Sequence, residues 1–224
     1  MDQSRFVWGW WSDKEFESTP GSPSSGANPE EAEGEKFNLA PNVGSNQSFC
    51  FSLRPFWSTL IGMTADTAKT IADFLLQQTE QEYATTCKVL AAVPEEQSSY
   101  KPGEKCMSGL ELATHIAASE PFFLRGVISG AFEWKQSDCK TPAEALAFYQ
   151  ESVPGLIAEA RALSGEKLAA PIAFGPWNEP AVNYLAINLK HGVHHRGQLS
   201  AYLRPMGAKV PSIYGPSADE NPWA

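Results

Sequence analysis

The chain carries four histidines, and three of them fall in one short stretch, "LKHGVHHRGQLSAYLRPMG", at positions 191, 194 and 195. Imidazole can ligate a metal, move a proton at neutral pH or act as a plain hydrogen-bonding group. On a helix, His191 and His195 stand at i and i+4, one turn apart on a single face. That spacing lets two ring nitrogens converge on one ion, as in helical zinc motifs. His194 lies ~100° round the helix from His195, which makes it a neighbour of the pair. A solvated polar helix face has the same pattern, so the pair alone leaves both readings open. The zinc-protease motif also needs a Glu directly after its first His, and here Gly192 follows His191, which excludes that chemistry.

The fourth histidine, His115, stands alone in "LELATHIAASE", among Leu112, Ala113, Ile116 and Ala117. A histidine on such a face is either a hydrogen-bonded core residue or a ligand whose partners come from another helix. With His191 and His195 it makes three imidazoles from two helices. That set leaves a position open for water or substrate, the pattern of catalytic zinc. Such a centre can activate water for hydrolysis or keep a cosubstrate thiol as its thiolate. Beside it, Arg196 reads as an anion clamp or as a structural partner to a carboxylate or carbonyl. Gln198 reads as an orienting group or as packing. Trp177, Asn178 and Glu179 either line a pocket or cap the last helix. No residue presents itself as a dedicated general base.

The elements that must position these residues are helical. "MTADTAKTIADFLLQQTEQEYATTCKVLAAV" predicts a helix over about 64–92, with Thr64 as N-cap. A second opens at "SGLE", where Ser108 and Glu111 have capping-box spacing, and runs past His115 to about Ser129. Pro121 within it should kink or restart it. The third opens at "TPAE", with Thr141 as N-cap, Pro142 at N1 and Glu144 at N3. It runs to about Leu163, with a second expected kink at Pro154. The fourth covers about Pro180 to Met206, with Gly207 placed to end it. "LAAPIAF" amounts to a short extended segment at most. Long helices and few strand signals predict an all-α, up-down four-helix bundle.

Composition changes near residue 62. Upstream, "STPGSPSSGANPEEAEGEKFNLAPNVGSNQS" is dense in Gly, Ser, Pro, Asn and Glu, the composition of a disordered segment. Residues 1–62 are therefore expected to be an irregular extension or an upstream translation artefact, and residues 63–224 the folded domain. Net charge is −9, and no stretch clusters Lys and Arg. Nucleic-acid binding, which draws affinity from counterion release by cations, is thus not expected, and neither is an anionic membrane surface. The N-terminus lacks an apolar signal-peptide core and no run reaches membrane-span length, so a soluble, cytoplasmic protein is expected. Cys50, Cys87, Cys106 and Cys139 form no CxxC pair and are expected to be free thiols.

"HGVHHRGQLSAYLRPMGAKVPSIYG" resembles the closing helix and tail of the DinB/YfiT-like superfamily of metal-dependent enzymes, and His115 in "LATHIAASE" matches that family's lone second-helix histidine. The resemblance runs from about residue 64 to the end and leaves residues 1–62 without a counterpart. It implies the DinB/YfiT-like bundle, with His115, His191 and His195 ligating a divalent ion such as zinc or nickel. It also implies a small-molecule substrate, a low-molecular-weight thiol as cosubstrate, and a homodimer. Thiol-dependent S-transferases are the activity it favours and hydrolysis is the second choice. The alternative is a non-catalytic metal-binding or dimeric stress-response bundle.

Overall fold

A computed structural model describes residues 63–135 and 137–223, so the extension expected over residues 1–62 lies outside the described residues. Four long helices form the domain. They are α1 (Ala65–Ala91), α2 (Gly109–Ser129), α3 (Pro142–Arg161) and α5 (Ala181–Leu203). Between α3 and α5 sit the short helix α4 (Gly165–Ala169) and a hairpin of β1 (Pro171–Phe174) and β2 (Trp177–Pro180). The sequence foresaw only an extended stretch at β1. Its partner β2, "WNEP", carries no alternating pattern that would mark a strand.

The helix ends follow from local chemistry. Thr64 Oγ1 accepts from the Thr67 N–H and starts α1. Ser108 and Glu111 form a full capping box on α2: the Ser108 side chain accepts from the Glu111 N–H, and the Glu111 carboxylate accepts from the Ser108 N–H. Thr141 Oγ1 accepts from the Glu144 N–H at the start of α3. Beyond α5, Gly207 adopts φ +77, and the Ala208 N–H reaches back to the Leu203 carbonyl at 3.0 Å. That left-handed turn suits a glycine and closes the helix in a Schellman motif. α2 and α3 run unbroken through Pro121 and Pro154, so neither helix restarts there.

The contacts fix the direction of each helix. Gly165, just past the end of α3, packs on Ala65 at the start of α1, and Arg161 pairs with Glu80, so α1 and α3 are antiparallel. Met206 meets Gly109, and His195 meets His115, so α2 and α5 are antiparallel as well. The start of α2 is tied to the end of α1, because the Leu110 N–H bonds the Ser98 carbonyl and the Gly109 N–H bonds that of Tyr100. Consequently α1 and α5 point one way, α2 and α3 the other. The twelve residues 130–141 must then cross the length of the bundle. The expected bundle is present, with this crossover in place of a tight turn between its second and third helices.

The interior combines an apolar core with one buried polar network. Leu76, Leu112, Leu124, Leu185 and Leu199 are fully enclosed. Among them lies Arg196, only 1% exposed, whose guanidinium meets the Glu82 carboxylate at 2.5 Å. It also donates to Thr86 Oγ1, the Glu82 carbonyl and the Tyr214 hydroxyl. α5 is thereby pinned to α1 and to the C-terminal tail. Cys87, Cys106 and Cys139 are free, half-buried thiols, while Cys50 lies outside the described residues. Among the described residues no helix is long and apolar enough to cross a membrane.

Arg196→Met should destabilise the fold by about 3 kcal/mol, because it leaves Glu82 and Thr86 without their buried partner. Urea-denaturation midpoints followed by circular dichroism check this. A loss below about 1 kcal/mol, the net worth of an ordinary hydrogen bond, would show that the pair does not hold α5 in place.

Candidate metal centre

Antiparallel packing of α2 against α5 brings His115 opposite the turn that carries His191 and His195. One ring nitrogen from each of the three lies within 4.8 Å of the other two. His115 Nε2 and His191 Nε2 are 3.3 Å apart. Two ligands at about 2.0–2.1 Å from a tetrahedral zinc stand about 3.3–3.4 Å from each other. That separation is therefore the one an ion requires when both lone pairs face it. His195 Nδ1 lies 3.0 Å from Gln198 Oε1, and a carbonyl oxygen only accepts. The proton thus sits on Nδ1, which leaves Nε2 free as a donor atom, the usual outer support of a metal-bound imidazole.

The electrostatics favour neutral rings. Burial lowers the His115 pKa to about 4, helped by His195. It lowers the His191 pKa to about 2, with His195, His115 and His194 adding to the effect. His195 is shifted down by burial too, against the opposing hydrogen bond to Gln198. Neutral imidazole is the form that ligates. The donor set fits a divalent ion of the zinc type, for which imidazole is a natural ligand. All three side chains are half-buried.

The remaining residues singled out from the sequence divide clearly. His194 is exposed, with its ring 4.7 Å from that of His195, and it stands outside the cluster. Arg196 points into the interior and serves as a structural partner to both a carboxylate and a carbonyl. Gln198 orients His195. Trp177 packs on Phe174, and Glu179 accepts from Asn183, so these residues belong to the hairpin and the opening turn of α5. A cavity of about 620 Å³ lies between α2, α3 and the crossover, lined by Phe122, Arg125 and Phe148 among others. None of its lining residues is a histidine of the cluster.

Glu120 is a buried acid that sequence reasoning missed. It sits in the apolar run "IAASEPFFL" of α2 and is buried to 9% exposure, the one buried acid among the described residues. Tyr149, stacked on Tyr83, donates to its Oε2 at 2.7 Å, while Oε1 is enclosed and has no partner. Burial raises its pKa to about 7 and Glu82 adds to the rise, against the Tyr149 hydrogen bond and Arg196. A charged residue inside an apolar helical run was the available signal.

A half-buried three-histidine centre between two antiparallel helices of a four-helix domain defines a class of helical bundles whose paired helices carry side chains that could hold a metal ion. The comparisons narrow that class: the family model described as DinB family matches residues 66–222, and the chain belongs to that family. The uncharacterized protein YjoA of Bacillus subtilis (strain 168) is 31% identical over 130 residues, spanning 54% of this chain and 82% of its own. The crystal structure of the DinB-like YjoA of Bacillus subtilis superposes with a TM-score of 0.53 at 22% identity, covering 62% of this chain and 96% of that one. A DinB-like protein from Bacillus cereus ATCC 10987 gives 0.55 at 23% identity, with 62% and 95% covered. The two structures share the fold.

His191→Ala or His195→Ala should abolish stoichiometric metal uptake, read by elemental analysis, while the helical circular-dichroism signal persists. His194→Ala should leave uptake intact, and its loss in that variant would overturn the i, i+4 assignment. Metal affinity should stay level through neutral pH and fall as pH drops towards about 4, where His115 starts to take a proton. Competitive chelator titration across pH tests this, and a fall already at neutral pH would contradict the lowered imidazole basicities.

Proposed function

We propose that this DinB family protein is a divalent-metal-dependent enzyme, and that its reaction is thiol-dependent S-transfer to a small electrophilic molecule. The single observation that carries the reading is the set of three neutral, half-buried imidazoles converging from α2 and α5. Zinc or nickel is the proposed ion, because imidazole suits both. A divalent ion held by three protein donors keeps a coordinated thiol as its thiolate at neutral pH. His115, His191 and His195 would hold the ion, and Gln198 would keep the His195 ring oriented. The bundle wall around Phe123, whose ring lies 5.6 Å from that of His191, would exclude water from one side of the centre. The thiol route over hydrolysis, and a homodimer as the working unit, are supported by the family resemblance.

The test combines elemental analysis of the purified protein with a transfer assay pairing a panel of low-molecular-weight thiols with a chlorinated aromatic electrophile. The expected result is about one metal per chain, as three imidazoles and an open position imply, and turnover that requires both metal and thiol and is lost in His191→Ala. A folded protein that takes up no metal would overturn the enzyme reading. Turnover that proceeds without thiol would replace transfer with hydrolysis.

A further inference from the structure

Ser119 stands one turn beyond His115 on α2, on the same face, and is only 3% exposed. Its hydroxyl donates to the His115 carbonyl, a back-bond that serines inside helices often make. That bond uses the one proton of the group and leaves the lone pairs of Oγ to be met by something else. What faces them is His115 Nε2, 3.5 Å away, the same nitrogen that stands 3.3 Å from His191 Nε2. One proton on His115 Nε2 could serve only one of these two neighbours. Hydrogen bonds between nitrogen and oxygen run at about 2.7–3.2 Å, so the contact to Ser119 is too long for a good one. It is instead the separation of two donor atoms that each lie about 2.0–2.2 Å from one ion at a near-tetrahedral angle.

We propose that Ser119 Oγ is a fourth protein ligand of the metal centre, beside His115, His191 and His195. The proposal rests on the metal reading above and is independent of the thiol chemistry. It gives the two helices matching parts. α5 supplies His191 and His195 at i and i+4, and α2 supplies His115 and Ser119 at the same spacing, so each helix presents a pair of donors from one face.

The backbone bond suits the hydroxyl to this role. With its proton engaged by the His115 carbonyl, the group offers the ion an oxygen lone pair and stays neutral. Beside imidazole, a neutral oxygen is the poorer match for a zinc-type ion. Ser119 therefore holds the fourth position in the resting protein and gives it up to an incoming substrate.

The experiment loads the full chain with cobalt(II), with no thiol added, as wild type, Ser119→Cys and Ser119→Ala. None of the described cysteines joins the histidine cluster, so wild type supplies the baseline spectrum. Ser119→Cys should add a thiolate-to-cobalt charge-transfer band, because the new sulfur stands where the oxygen met the ion. A cobalt-loaded Ser119→Cys with the wild-type spectrum would overturn the proposal. Ser119→Ala should bind cobalt at least about tenfold more weakly in competitive chelator titration, the scale on which even an outer support of a ligand counts. Wild-type affinity in Ser119→Ala would show that the hydroxyl only bonds the backbone, whatever the cysteine variant does. Ser119→Thr covers the case in which Ser119→Cys does not fold. It keeps the hydroxyl and should keep the wild-type affinity, and a threonine variant as weak as Ser119→Ala would overturn the role of the oxygen. A folded wild type that takes up no cobalt would overturn the metal reading, and this inference with it.

Discussion

The buried ion pair of Arg196 with Glu82 is the constraint on which the site depends. Arg196 directly follows His195, so whatever fixes its direction also fixes the rotation of α5 about its own axis. With the guanidinium locked to α1 and the tail, the helix has no freedom to turn, and the adjacent face carrying His191 and His195 must look towards α2. A rotation of one residue, ~100°, would bring His194 to that face in place of His195. The polar interior is therefore a device for register, a role in which buried charged groups are well attested.

Built on that register, the centre needs little else. Gln198 sets one tautomer, the bundle dries the rings, and the antiparallel meeting of α2 and α5 sets the nitrogen separations. The rings stay neutral because the surroundings are apolar, and no carboxylate among their closest partners raises their basicity. Glu120 stands on the same two-helix seam with the opposite response: enclosure that strips protons from the imidazoles makes the carboxyl keep its own. One low-dielectric interior thus favours the neutral form of imidazole and carboxyl alike.

Much of this was legible in the sequence where the cause is local. Caps at Ser108 and Thr141, the glycine stop at Gly207, and the i, i+4 pair on the last helix depend only on near neighbours in the chain. His115 was legible because an imidazole in an apolar helix face demands a partner. What depends on distant contacts was not. Arg196 finds Glu82 more than a hundred positions away, and Tyr149 meets Glu120 across two helices, with nothing in either segment to announce the pairing. The direction of α3 was also hidden, because residues 130–141 read equally well as a slack turn or as a strap running the length of the bundle.

That strap divides the molecule in a way the helices do not. It is the sole covalent link between a first half, α1 with α2, and a second half, α3 through α5. His115 belongs to the first half, His191 and His195 to the second. An ion at the centre would therefore act as a rivet between two pieces of chain, spanning the same gap that the strap bridges along the backbone. A chain nicked within residues 130–141 would be held together by core contacts and by the metal, which makes occupancy of the centre a form of molecular splicing.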